Sequence, residues 1–174
     1  MLDDSELPHG TALLGDSEEV VVHFDGACQP PKGGGVATYG YTIDGPGAHT
    51  EGFGLAVRPG TEHATNNVAE YSGAICALEE LRAGGYRGRV VLRGDSQLVI
   101  RQMTGEYEVR AEHLKAYHDR LSQLVREFAL VRFEWVPRDE NLRADELSKV
   151  ALANELRAAR RSASKRSALS TDEA

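Results

Sequence analysis

The amino-acid sequence predicts an α/β domain: a five-stranded mixed sheet, antiparallel over its first three strands and parallel afterwards, flanked by helices. Two features lead there. Up to Val57 the apolar residues fall in short runs, several of them β-branched, separated by Gly- and Pro-rich turns; from Asn67 onward helical spacing alternates with strand-like runs. The resulting order, β-β-β-α-β-α-α-β-α, is that of a meander extended through helical crossovers into parallel strands.

Residues 1–18 lack hydrophobic periodicity and read as a flexible acidic leader. Val20 to Phe24 is an apolar run suited to a buried central strand. Gln29-Pro30-Pro31-Lys32-Gly33-Gly34-Gly35 reads as a turn. Val36 to Ile43 and Thr50 to Val57 then form strands joined through Asp44-Gly45-Pro46-Gly47. Val68, Tyr71, Ile75, Leu78 and Leu81 recur at helical spacing, and Gly84-Gly85 supplies the stop. A strand over 89–93 leads through Asp95-Ser96 into a short helix at about 96–104. Leu114, Tyr117, Leu121, Leu124 and Phe128 make the apolar face of a longer helix over 112–128. Val131, Phe133 and Trp135 alternate in a last strand, and a final helix starts near Asn141. The folded domain is expected over 19–154, with 155–174 a basic flexible tail into which that helix frays.

The chain has 174 residues, 41% of them hydrophobic, which suits one domain with a full core. No apolar run approaches the roughly 20 residues of a membrane span, so no membrane partner is expected. The acidic N-terminus lacks the pattern of a secretory signal. Cys28 and Cys76 have neither metal-binding nor disulfide spacing. A cytoplasmic monomer is expected. The net charge of −7 is unevenly divided: −6 in residues 1–20, −3 in 21–154 and +2 in 155–174. Overall acidity therefore neither excludes nor supports a polyanionic ligand.

Four carboxylates carry the functional signal. Asp25 closes Val20-Val21-Val22-His23-Phe24, and Asp95 closes Val90-Val91-Leu92-Arg93-Gly94; Glu70 and Asp145 fall inside helical patterns. Acids that end buried strands meet at one sheet edge. With no His or Cys partner, their mutual repulsion is best relieved by hard divalent cations bound through oxygen. Each acid taken singly has a structural alternative. Asn67 and Glu70 have capping-box spacing, Asp95 could start a helix, Asp145 could be a solvated acid and Asp25 a turn residue.

Together, Phe24-Asp25-Gly26-Ala27-Cys28, Thr65-Asn66-Asn67-Val68-Ala69-Glu70, Gly94-Asp95-Ser96-Gln97 and Glu140-Asn141-Leu142-Arg143-Ala144-Asp145-Glu146-Leu147 resemble ribonuclease H of type I, from about Val20 to Ala153. The resemblance implies a ribonuclease H-like fold and an endonuclease that cuts the RNA strand of an RNA–DNA hybrid. In it Asp25, Glu70, Asp95 and Asp145 would be catalytic and would hold two Mg²⁺ or Mn²⁺ ions. Such a pair activates water on one side of the phosphorus and stabilises the leaving oxygen on the other, giving 5′-phosphate and 3′-hydroxyl ends. The backbone of Gly26, Ala27 and Cys28, with Asn66, Ser96 and Gln97, would contact substrate, chiefly on the RNA side. Thr65 and Asn67 would face the minor groove or a DNA phosphate. Substrate would be chosen through 2′-hydroxyls and duplex shape.

Two departures from the family matter. The loop Val136-Pro137-Arg138-Asp139-Glu140-Asn141 lacks the histidine many relatives carry before the fourth acid, and Arg138 stands as its catalytic substitute. Arginine stays protonated, which points to phosphate positioning or product expulsion. A basic, aromatic-rich projection of some relatives is also missing, leaving Arg110, Lys115 and Arg143 as candidate replacements. Among rival readings, exonucleases of this fold begin with Asp-x-Glu, whereas Gly26-Ala27 follows Asp25. Resolvases and integrases lack the Thr-Asn-Asn-x-x-Glu pattern. A non-catalytic hybrid-binding module would have lost acids that are all present here.

Overall fold

The computed structural model describes residues 18–171, with side chains to Lys165; the rest of the expected leader lies outside the described residues. Strands β1 (Glu19–Gln29), β2 (Val36–Gly45) and β3 (Ala48–Leu55) are followed by helix α1 (Asn66–Ala83), strand β4 (Arg89–Gly94), helices α2 (Gln97–Met103) and α3 (Glu112–Val125), strand β5 (Leu130–Trp135) and helix α4 (Leu142–Thr171). The sheet order is β3-β2-β1-β4-β5. β1–β2 and β2–β3 are antiparallel, β1–β4 and β4–β5 parallel. This is the mixed five-stranded sheet the sequence predicts.

The main core lies between the sheet and α1 and α3. Val20, Val22 and Phe24 from β1 meet Tyr71 and Leu78 of α1, with Leu92, Leu121 and Leu124 around them, all fully buried. Helix α1 is buried over most of its circumference because the sheet lies on one side and α3 on the other. Helix α4 packs on the opposite face, against β1 and β2. Alternation along β1 sends Phe24 into the main core and its neighbour Asp25 toward α4.

Strand β3 lies two residues earlier than the expected Thr50 to Val57, and α3 stops at Val125 and not at 128; two boundaries differ more. Strand β1 does not end at Asp25 but runs to Gln29, because antiparallel pairing with β2 continues to Gln29↔Val36. Its parallel pairing with β4 does stop at His23↔Arg93. Asp25 therefore lies at the parallel edge while its own strand continues. The second difference is α4, which runs on to Thr171 where fraying is expected. Leu152 to Lys165 is rich in Ala, Leu and Arg, strong helix formers whose propensity outweighs the polar composition.

Close approach depends on two glycines facing opposite sides. A Cβ on Gly26 would lie 2.4 Å from the Glu70 nitrogen, and one on Gly40 would lie 2.5 Å from that of Ser148. The missing side chains let α1 and α4 rest directly on adjacent strands, flanking Asp25. Gly26→Ala is expected to force α1 away and cost about 3 kcal/mol. Denaturant unfolding measures this, and an unchanged midpoint would refute it.

Candidate active site

Each acid reaches the cleft by a different route. Asp25 comes from β1, where Gly40 is its cross-strand partner. Glu70 comes from the second turn of α1, whose N-cap is Thr65: its hydroxyl accepts from the Val68 N–H at 3.3 Å. Asp95 occupies the turn between β4 and α2, and Ser96, not Asp95, caps α2. Asp145 lies in the first turn of α4, its N–H bonded to the Asn141 carbonyl at 3.1 Å.

These placements remove the structural alternatives one by one. Asn67 lies inside α1, so Asn67 and Glu70 form no capping box. Asp25 is mid-strand and not in a turn. The Asp145 side chain is 14% exposed and gripped by two cations, hence not an ordinary solvated acid.

One carboxylate oxygen from each of Asp25, Glu70 and Asp95 lies within 4.8 Å of the others. Asp25 and Glu70 are each only 5% exposed. Burial pushes the Asp25 carboxyl up to about 7, with Asp95 and Asp145 adding repulsion and a 2.7 Å hydrogen bond from Ser148 Oγ opposing it. Burial, then Asp25 and Asp95, raise Glu70 well above the usual carboxylate range. Glu70 Oε1 accepts from Asn66 Nδ2 at 3.3 Å, while its buried Oε2 has no partner. An orphaned carboxylate oxygen between two further acids fits a hard cation.

Asp145 is poised differently. Arg138 Nη2 contacts its Oδ1 at 2.9 Å and Lys149 Nζ its Oδ2 at 2.6 Å. Burial works against ionisation there, but Lys149 and Arg138 outweigh it and hold the carboxyl below its ordinary value. All four acids line one cleft of about 530 Å³, together with Arg138, Gly26, Ala27, Cys28, Asn66 and Ser96. Thr65, Asn67 and Gln97 are not among the lining residues. Thr65 is occupied as a cap, and Gln97 is exposed beside the cleft. The Cys28 thiol contacts the carbonyls of Pro30 and Ala64 at 3.0 Å.

A reverse transcriptase-like family model matches residues 23–151. Ribonuclease HI of Halobacterium salinarum is 36% identical over 135 residues, covering 71% of this chain and 67% of that protein. The chain belongs to the type I ribonuclease H family. Its fold matches the crystal structure of the Halobacterium RNase H1 with a TM-score of 0.66, over 78% of this chain and 98% of that one. LC11-RNase H1, solved in complex with an RNA/DNA hybrid, matches with a TM-score of 0.69 at 32% identity, over 79% and 99%. The bifunctional protein Rv2228c of Mycobacterium tuberculosis is 38% identical over 90 residues, half of this chain but only 24% of that protein.

Around this cleft, residues not singled out by sequence reasoning hold the acids in place. Asn141, 1% exposed, donates through Nδ2 to the Phe24 carbonyl at 2.9 Å and approaches Asp95 Oδ1 at 3.4 Å. With its own carbonyl on Asp145, it ties together three of the acid-bearing segments. Ser148 joins Asp25 to α4, and Trp135 Nε1 donates to the Asp95 carbonyl at 3.1 Å. For Ser148 and Lys149 the available signal was helical spacing, three and four residues after Asp145 on its face of α4.

Proposed function

We propose that residues 19–154 form an endonuclease that hydrolyses the RNA strand of RNA–DNA hybrids and leaves 5′-phosphate and 3′-hydroxyl ends. The observation that carries this is the convergence of Asp25, Glu70 and Asp95, with an unpartnered Glu70 oxygen, in a cleft shared with Asp145. Family membership and the hybrid bound by LC11-RNase H1 support the choice of substrate. The four acids would hold two Mg²⁺ or Mn²⁺ ions, which when bound supply water activation and neutralise the leaving oxygen.

The chain's own residues do the rest. Asp25 is oriented by Ser148 and Asp95 by Asn141, so their free oxygens face the cleft without reorganising. The backbone of Gly26, Ala27 and Cys28 and the side chains of Asn66 and Ser96 line the path open to a ribose-phosphate chain. We assign Thr65, Asn67 and Gln97 to the flanks of that path. Two free thiols and the absence, among the described residues, of a helix long and apolar enough to cross a membrane suit a reducing cytoplasm. We infer that the protein acts there as a monomer.

Cleavage of a labelled hybrid is expected with Mg²⁺ or Mn²⁺ and not in EDTA; turnover that persists in EDTA would overturn the reading. Arg138 is assigned to phosphate positioning or product expulsion, because its guanidinium is exposed and already touches Asp145. Arg138→Ala is expected to lower kcat about tenfold, as for loss of a partner that orients a metal-ligand carboxylate, while metal binding survives. Trp135, the sole tryptophan, reports that binding by fluorescence from beside Asp95. Unchanged turnover would remove Arg138 from the mechanism.

A further inference from the structure

The three cations that sequence reasoning offers as replacements for the missing projection are engaged elsewhere. Arg110 pairs with Glu108 at 3.1 Å, Lys115 with Glu112 at 2.7 Å and Arg143 with Glu51 at 2.6 Å. Arg93, Arg120 and Arg132 likewise face Glu134, Glu79 and Glu19. Arg157, Arg160, Arg161 and Lys165 differ. All four are exposed, and none of their side chains has an ion pair or hydrogen bond with any described residue. Other unpaired cations, Lys32, Arg58 and Arg126, are spread over separate turns and a helix end.

These four residues fall at i, i+3, i+4 and i+8 of α4, on one strip roughly 140° wide at 3.6 residues per turn. Like charges at i, i+4 oppose helix formation, so the strip is an electrostatic liability unless an anion covers it. Among the described side chains, Ala151 is the last buried one of α4, and from Arg157 to Lys165 every one is exposed. The same helix begins in the cleft, where Asp145, Lys149 and Leu152 are lining residues. Arg160 follows Lys149 by eleven residues, about three turns on at nearly the same angle. The strip thus adjoins the cleft-facing side of α4 only through Arg160; Arg157, Arg161 and Lys165 lie about 80°, 120° and 160° round the helix from Lys149, as the helix runs about 20 Å beyond Leu152.

We propose that this strip of α4 is a docking surface for the phosphate backbone of the hybrid duplex where it leaves the cleft. The proposal rests on the hydrolase reading and extends its substrate contacts. A duplex presents about one negative charge per 1.7 Å of axis, so a rod-like row of cations matches it in shape and sign. The contact would hold the duplex without reading its sequence.

The test compares the full chain with a variant carrying Arg157→Gln, Arg160→Gln, Arg161→Gln and Lys165→Gln, substitutions that keep helix propensity. A charge-preserving variant exchanges Arg for Lys and Lys for Arg at the same positions, and circular dichroism verifies that α4 persists in both. Substrates are hybrids of about 8 base pairs, filling the cleft alone, and about 24, reaching past it at roughly 3.4 Å per pair. For the long hybrid the Gln variant is expected to raise KM about tenfold with kcat unchanged. Its salt dependence, log KM against log salt, is expected to be shallower by about 3. The short hybrid is expected to behave as in wild type, and the charge-preserving variant as wild type on both.

Equal KM and salt slope on the long hybrid would overturn the proposal, and so would an equal loss on short and long. Weakened binding to anionic phospholipid vesicles with hybrid kinetics untouched would assign the strip to a lipid surface instead. If wild type cleaves neither hybrid, the hydrolase reading fails by itself. Anisotropy of the intact long hybrid then decides the strip, by the same difference in salt slope.

Discussion

Asp25→Asn is expected to lower hybrid cleavage by about a thousandfold, ~4 kcal/mol of barrier, while making the metal-free protein more stable. The two effects have one origin. Asp25 lies within 4.8 Å of Glu70 and Asp95 and is only 5% exposed, so its charge is unfavourable in the fold until a cation arrives. Asparagine keeps the shape, and its carbonyl can still accept the hydrogen bond from Ser148. At pH 8.5 in EDTA, where the wild-type carboxylate is ionised, the variant is expected to gain about 1–2 kcal/mol in denaturant unfolding. Saturating Mg²⁺ is expected to reverse the order: the wild type gains about 2.7 kcal/mol at a hundredfold excess over Kd, and the variant little. An active Asp25→Asn protein would exclude Asp25 from the chemistry. An inactive but destabilised one would mean that the fold, not the ligand set, had been damaged.

Legibility in the sequence followed the range of the interactions. Strands β1 and β4 were readable because a buried central strand must be apolar over its length, and the acid after such a run lies at the sheet edge by geometry. Glu70 was readable as a helical residue but not as a buried one, since its burial comes from Gly26, 44 positions away, letting α1 descend onto β1. Asn141 and Ser148 were opaque for the same reason: their partners Phe24 and Asp25 are 117 and 123 positions distant. The end of β1 was misplaced because local pattern gives no hint that β2 continues the pairing beyond Asp25. The long α4 was missed because charge density suggested a tail, while helix propensity, the local term that decides an exposed segment, pointed the other way. Local chemistry named the acids; the residues that aim them depend on contacts made only once the chain has folded.

Metal-free stability is expected to fall as pH rises from about 4 to 7, the reverse of the usual behaviour of a protein rich in paired carboxylates. The Asp25 carboxyl titrates near 4 in the unfolded chain and is pushed up to about 7 in the fold, chiefly by burial. Between those values the folded state holds a proton that the unfolded state has released, so each pH unit removes stability. The shift corresponds to as much as about 4 kcal/mol, and Glu70, raised by burial and by Asp25 and Asp95, acts in the same direction. His23, lowered by burial, opposes the trend below its ordinary value. Asp145, held down by Lys149 and Arg138 despite its burial, contributes only at lower pH, where its stabilisation is lost as pH falls. The difference between wild type and Asp25→Asn cancels the histidine contribution, and Asp145 acts only below this window, so that difference curve is expected to slope downward to about pH 7 and then level. Divalent cations compete for the same oxygens as the protons. Affinity measured through Trp135 fluorescence is therefore expected to rise with pH over this window, and cleavage at limiting Mg²⁺ to rise with it. A flat difference curve in EDTA, or a metal affinity indifferent to pH, would show that Asp25 ionises freely in the fold and is not held protonated by its surroundings.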